Sequence, residues 1–319
     1  MELYSNIALF VLAFFLLWVG SGIAVHAITK ISYGLRMSSF FVSFLIMGFF
    51  TSITEMMVGI NAVVNKQPEI FVGNLIGSSI VIFLLVIPLL AFLGKGVNLN
   101  HSFKFKDLVI ATLVVGFPTI LILDGKLSLI DLVICLILYF YFAFMQEKQN
   151  KTFRRLILVN LNKSTMYLNM AKVLVAVLLV YFASNILVKQ TVALAQALGA
   201  STFIISLLII SVGTNIPELS IAIRAMLAKK KDIAFGNYLG SATLNTFELG
   251  LFGLISDKPI LTTGSNFSML VFLYALIAFL YFAKSQKSIS RSEGFVLLLF
   301  YLLFLFFEIF TGSGWKLFA

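Results

Sequence analysis

The chain has 319 residues, of which 61% are hydrophobic, only 11% charged and 34 phenylalanine. A soluble domain of that size cannot hide so much apolar surface, so the composition indicates a membrane protein, and neither of the two histidines sits beside a nucleophile or metal motif that would suggest an enzyme. The net charge of +10 reads as basic cytoplasmic loops rather than a nucleic-acid surface, and one cysteine, Cys135, excludes intramolecular disulfides and cysteine-cluster metal sites.

Hydropathy predicts an all-α membrane protein with ten helices, at 6–29, 38–64, 69–93, 107–123, 127–146, 166–188, 200–227, 232–256, 267–283 and 292–311. Met1-Glu2-Leu3-Tyr4 lacks the positive region of a cleaved signal peptide, so the first apolar run is expected to stay as a helix. With the N-terminus outside, inner loops hold 16 Lys and Arg and outer loops 5; Arg224 and Lys172, near inner helix ends, complete the 23. That bias predicts both termini outside in a multi-pass protein of the plasma membrane. His26 and Glu308, late in their helices, are expected near the membrane interfaces.

Two blocks of sequence repeat. Thr51-Ser52-Ile53-Thr54-Glu55 and Gly73-Asn74-Leu75-Ile76-Gly77-Ser78 return as Thr214-Asn215-Ile216-Pro217-Glu218 and Gly236-Asn237-Tyr238-Leu239-Gly240-Ser241, each pair 163 residues apart without a gap. Gly20-Ser21-Gly22-Ile23 aligns with Ala183-Ser184-Asn185-Ile186 at the same offset. The first block lies on helix 2 and the second on helix 7, five helices apart, so the two cross the membrane in opposite directions. The chain therefore divides into a first inverted repeat (1–146), a short basic cytoplasmic connector (147–165) and a second inverted repeat (166–319). Inverted five-helix repeats suit alternating access to a central site better than a passive channel.

Thr51-Ser52 and Thr214-Asn215 fall near mid-helix, where such residues compete for backbone hydrogen bonds, and Pro217 removes a donor. Helices 2 and 7 are expected to be broken or distorted there, freeing carbonyl oxygens beside each Glu. An ionised Glu at membrane depth costs a few kcal/mol or more, so Glu55 and Glu218 each need a cation, a proton or a polar partner. Together they supply two negative charges, which suits a divalent hard cation held by oxygens. Monovalent ions or protons competing for the same charge provide exchange. The glycines at i, i+4 spacing permit close helix approach. Ser78 and Ser241 can add hydroxyl oxygens, while Asn74 and Asn237 either ligate or, the reading favoured here, hold the broken helices by hydrogen bonds. Ser241, Asn245 and Glu248 share one helix face. Glu248 is read as a ligand, a proton carrier or a carboxyl kept protonated against a neighbouring helix.

These blocks resemble the alpha repeats of the calcium/cation antiporter superfamily, which contains the sodium/calcium exchangers. The family pattern is Gly-Thr-Ser-x-Pro-Glu followed by Gly-Asn-x-x-Gly-Ser-Asn. Gly213 through Glu218 and Gly236 through Ser241 match it closely; the first block has Phe50 for the leading Gly and Thr54 for Pro. The resemblance implies that Glu55 and Glu218 bind calcium alternately with the coupling ions, helped by Thr51, Ser52, Thr214, Ser78 and Ser241. It also implies that helices 1 and 6 slide across the remaining bundle, with no cofactor beyond the transported Ca2+ and Na+.

Ile82 and Asn245 stand where sodium-coupled relatives commonly carry a polar or acidic residue. Charge balance from Glu55 and Glu218 alone then predicts fewer coupling ions per calcium than is typical, and Glu248 is the residue able to reverse that. The expected function is calcium/sodium antiport. The alternatives are a proton-coupled divalent cation exchanger and a transport-inactive relative serving as a sensor or interaction protein.

Overall fold

A computed structural model describes residues 2–33, 48–98, 105–149, 163–216, 218–219, 223, 231–256, 260–286 and 288–311. The expectations for Pro217, Arg224 and residues 150–162 of the connector lie outside the described residues. The helices are α1 (Glu2–Tyr33), α2 (Gly48–Thr51), α3 (Ile53–Val64), α4 (Pro68–Leu93), α5 (Phe105–Leu121) and α6 (Leu129–Gln149). They continue with α7 (Lys163–Leu198), α8 (Thr202–Thr214), α9 (Lys231–Ile255), α10 (Asn266–Gln286) and α11 (Arg291–Thr311).

Among the described residues six helices are long and apolar enough to cross a bilayer: Pro68–Leu93, Phe105–Asp124, Leu129–Gln146, Tyr167–Leu198, Asn266–Ser285 and Arg291–Thr311. Asn6–Gly20, Ile53–Val64 and Thr202–Thr214 are shorter apolar runs. The polarity is inside out. Leu270, Tyr274, Ile277 and Tyr281 on α10, and Leu299, Leu302, Phe306 and Phe310 on α11, are exposed at helical spacing. Thr51, Glu55, Asn74, Ser78, Thr214, Glu218, Asn237 and Ser241 are buried. An apolar outer surface around a polar interior is stable in lipid, which offers apolar side chains contact and buried polar groups nothing.

α4 lies at the centre and is buried on nearly every face, mostly apolar but with Asn74, Ser78 and Ser79 turned inward. A π-helical turn interrupts it at Ile82–Val86, and another interrupts α8 at Ser206–Ile210. α7 runs ten residues beyond the 188 expected from hydropathy, because Lys189 and Gln190 are followed by the helix-forming run Ala193-Leu194-Ala195-Gln196-Ala197-Leu198. It stops at Gly199, whose φ of 62° suits glycine. Two short antiparallel ribbons tie loops together, Val97–Asn98 with Ser288–Ile289 and Lys126–Leu127 with Ile260–Leu261.

α1 and α7 pack along one another, so closely that a Cβ on Gly20 would meet Val180 and the Ala176 carbonyl. A polar clasp joins α7 to α3. The Asn61 amide donates to Ser184 Oγ at 2.8 Å and to the Tyr181 carbonyl at 3.3 Å, and its oxygen accepts from Asn185 Nδ2 at 2.8 Å.

Glu308, expected near a membrane interface, packs against the start of α10. It is fully buried. Its carboxylate accepts the Ser265 N–H at 3.1 Å and the Ser268 hydroxyl. It thus serves the open N–H groups at the start of α10, where a helix end favours negative charge.

Removing the clasp tests its weight. Asn61→Leu is expected to cost about 0.6 to 1.7 kcal/mol, the range for buried interhelical hydrogen bonds in membranes. Thermal unfolding of the purified protein in detergent checks this, and an unchanged midpoint would show that apolar packing alone holds α7 to α3.

Candidate cation site

The site forms where the two repeated blocks meet. Each block carries a one-residue interruption. Ser52, at φ −73° and ψ 1°, separates α2 from α3, and Asn215, at φ −86° and ψ 7°, follows α8. Both lie in the sparsely allowed bridge region. The i to i−4 bonds spanning these residues survive, from Ser52 N to Gly48 O at 3.2 Å and from Asn215 N to Ser211 O at 3.2 Å.

Glycine admits the helix that faces these interruptions. A Cβ on Gly73 would collide with the Phe203 carbonyl, and one on Gly77 with the Leu207 carbonyl and Ser211. The α4 backbone therefore lies directly on α8 and brings Asn74 and Ser78 to the second block. Across the site, Gly48 of α2 presses against the Gly240–Ser241 peptide of α9.

The resulting hydrogen bonds come in pairs related by the offset of 163. Thr51 Oγ1 donates to Asn237 Oδ1 at 3.3 Å, and Thr214 Oγ1 donates to Asn74 Oδ1 at 3.1 Å. Each asparagine therefore engages the threonine of the other block through its carbonyl oxygen, the holding role favoured from the sequence. Ser78 Oγ donates to Glu55 Oε1 at 3.5 Å, and Ser241 Oγ to Glu218 Oε1 at 3.1 Å. Two further contacts join hydroxyls of the two halves. Ser52 Oγ and Ser241 Oγ lie 2.7 Å apart, and Ser78 Oγ and Thr214 Oγ1 lie 3.4 Å apart.

Glu55 and Glu218 are both fully buried, and their charges act on one another. With Thr51, Ser52, Thr214, Ser78 and Ser241 they form one connected cluster. Asn215 sits at its edge with Nδ2 bonded to the Ser211 carbonyl at 2.7 Å and Oδ1 unpartnered. Asn245 lies further along α9 and donates to Ser79 Oγ at 3.3 Å. Ile82 is buried at the start of the α4 π turn and offers no ligand. Glu248 is fully buried, and no cluster of three His, Cys, Asp or Glu that could hold a metal occurs among the described residues. His26 is exposed on α1, beside Lys172 of α7.

Two contributors escaped the sequence reading. Thr54, taken there only as a departure from Pro, donates to Glu55 Oε2 at 2.7 Å and also lies 3.2 Å from the Thr214 carbonyl. Ser79, the partner of Asn245, corresponds to Ala242 in the other repeat, so matching the repeats could not flag it.

Several buried oxygens have no hydrogen-bond partner: Asn215 Oδ1, Glu218 Oε2, Asn245 Oδ1 and both oxygens of Glu248. Buried polar groups are nearly always satisfied. A concentration of unpartnered acceptors beside two carboxylates is suited to a hard cation bound by oxygen.

The family model described as sodium/calcium exchanger protein matches twice, at residues 5–147 and 169–310. The chain belongs to the sodium/calcium exchanger family. It is therefore a membrane cation antiporter of the calcium/cation antiporter superfamily, a family of transporters and not of enzymes. It is similar to an uncharacterized membrane protein of Methanocaldococcus jannaschii, at 24% identity over 94% of this chain and 97% of that one. It also resembles the inner membrane protein YrbG of Escherichia coli, at 27% identity over 77% and 79%. The sodium/calcium exchanger MaX1 of Methanosarcina acetivorans is 33% identical over 119 residues, 37% of this chain and 34% of MaX1. Solved structures of the sodium-calcium exchanger NCX_Mj share the fold. One, soaked with 2.5 mM Na+ and 10 mM Sr2+, superposes with a TM-score of 0.66 over 95% of this chain and 98% of that one at 24% identity.

The close approach of α4 to α8 is testable in this antiporter. Gly77→Ala is expected to cost about 1 to 3 kcal/mol, as overpacking does, and to depress exchange by displacing Ser78. A variant with wild-type unfolding temperature and flux would show that the contact yields without disturbing the site.

Proposed function

We propose that this antiporter exchanges calcium, or a related divalent cation, for sodium by alternating access. Its ligands are Glu55 and Glu218, with Thr51, Ser52, Thr214, Asn215, Ser78 and Ser241 around them and Asn245 at one end. The observation that carries this reading is the pair of fully buried carboxylates set among hydroxyls of both halves and unpartnered oxygens. Two negative charges in a low-dielectric interior are neutralised by one divalent ion or by two monovalent ions. The two states exclude one another, and that competition is the exchange.

The chain is read as ten spans in two inverted repeats, 1–146 and 166–319, joined by the cytoplasmic connector 147–165. Helices 2 and 7 are distorted at Ser52 and Asn215, and both termini lie outside the plasma membrane. The separate family matches to each half and the hydrogen bonds paired at the 163 offset support this division. The α1–α7 pair touches the site helices α2, α3 and α8, and Gly213 of α8 receives the Phe14 ring of α1. Sliding of that pair alternately uncovers the site to each side.

In proteoliposomes carrying a sodium gradient, Glu55→Gln and Glu218→Gln are each expected to reduce radiolabelled calcium uptake to background while the protein stays folded. Full flux in either variant refutes the assignment. Orientation is tested separately by labelling Arg155→Cys in a Cys135→Ser background. Protection from impermeant reagent in intact cells is expected, and external labelling would invert the topology.

A further inference from the structure

Glu248 belongs to neither repeated block, and its place became visible only in the packed chain. α3 and α9 run side by side in a fixed register. Gly48, just before α3, lies against the Gly240–Ser241 peptide, and Gly59 lies against the Phe252 ring, pairs that share an offset of 193 residues. The same offset puts Glu248 opposite Glu55. Their charges act on one another, and Tyr139 of α6 is also within reach of the Glu248 charge.

Both Glu248 oxygens are buried without a hydrogen-bond partner. One turn earlier on the same face, Asn245 spends its Nδ2 on Ser79 and leaves Oδ1 unpartnered. Three orphaned oxygens thus line the α9 face that meets Glu55. The repeat supplies no counterpart, because the residue 163 positions before Glu248 is Leu85. A divalent ion between Glu55 and Glu218 balances their charge and offers nothing to Glu248, whose unpartnered oxygens need a counter-charge of their own in order to ionise. A cation carrying one positive charge restores balance there, and oxygen donors of this kind suit a hard ion.

We propose that Glu248 and Asn245 form, with Glu55, a lateral subsite for one monovalent cation of the sodium class, present on one side of the pseudo-symmetric centre only. The proposal rests on the antiporter reading above for its physiological meaning, but not for its test.

The test is equilibrium binding of radiolabelled sodium to the purified full chain in detergent, counted at saturation for wild type, Glu248→Gln and Glu248→Asp. Glu248→Gln is expected to bind one sodium fewer per chain, and Glu248→Asp to keep the count with several-fold weaker affinity. An unchanged count in Glu248→Gln overturns the subsite, including the case in which only the pH response of transport changes and Glu248 carries a proton. If the Gln variant fails to fold, the Asp variant decides, and wild-type sodium affinity there overturns the proposal. Because binding is counted without transport, the result stands even if wild type moves no calcium, the outcome that would sink the antiporter reading.

Discussion

The structure depends on the cost of holding charge away from water. A lone carboxylate in a medium of low dielectric loses several kcal/mol of solvation, and this chain buries Glu55 and Glu218 near one another. Hydroxyls from Ser78, Ser241 and Thr54 recover only part of that loss. The remainder falls to a cation or a proton, so the site with both carboxylates ionised and empty is intrinsically unfavourable. That is the property an exchanger needs, since an antiporter that readily crossed without cargo would dissipate its gradients.

The packing serves this constraint. Hydroxyl and amide groups from four segments must converge on two carboxylates, and backbones must lie close for short side chains to meet. Glycine permits that at Gly73 and Gly77 against α8 and at Gly48 against α9. The crossed threonine–asparagine bonds then fix each interrupted segment to a helix of the opposite half. Local distortion at Ser52 and Asn215 is tolerable at this depth because protein, not lipid, surrounds it. Elsewhere the fold spends its polar residues sparingly, in the Asn61 clasp and the Glu308 contact with the start of α10.

Symmetry is kept where both repeats must contribute alike and lost where the site is extended. The carboxylates, their serines and the threonine–asparagine pairs recur across the two halves. Glu248, Asn245 and Ser79 do not, facing Leu85, Ile82 and Ala242 at the corresponding positions. A two-fold centre with a one-sided extension presents different surroundings to its two carboxylates.

Much was legible in the sequence. Composition dictated a helical membrane protein, because no aqueous fold hides that much apolar surface, and the charge of each loop fixed an expected orientation. Two identical offsets located Glu55, Glu218 and their companion serines, since repeats preserve spacing whatever the fold. What spacing could not show was contact between elements of unrelated register. Thr54 looked like a missing proline until its hydroxyl was seen on Glu55, and nothing in the position of Glu308 showed that it meets the start of α10. Ser79 had no repeat partner to betray it, and spacing put Glu248 on the face of Ser241 and Asn245 without showing which helix that face meets. Their roles follow from which faces of α4, α3 and α9 meet, and helix register is set by the fit of side chains such as Phe252 into the space at Gly59. The sequence by itself determined the membrane setting and the paired acids, because those follow from composition and repetition. Only the tertiary structure decided that the α9 face carrying a third acid is turned toward Glu55's helix, because that depends on how two helices pack.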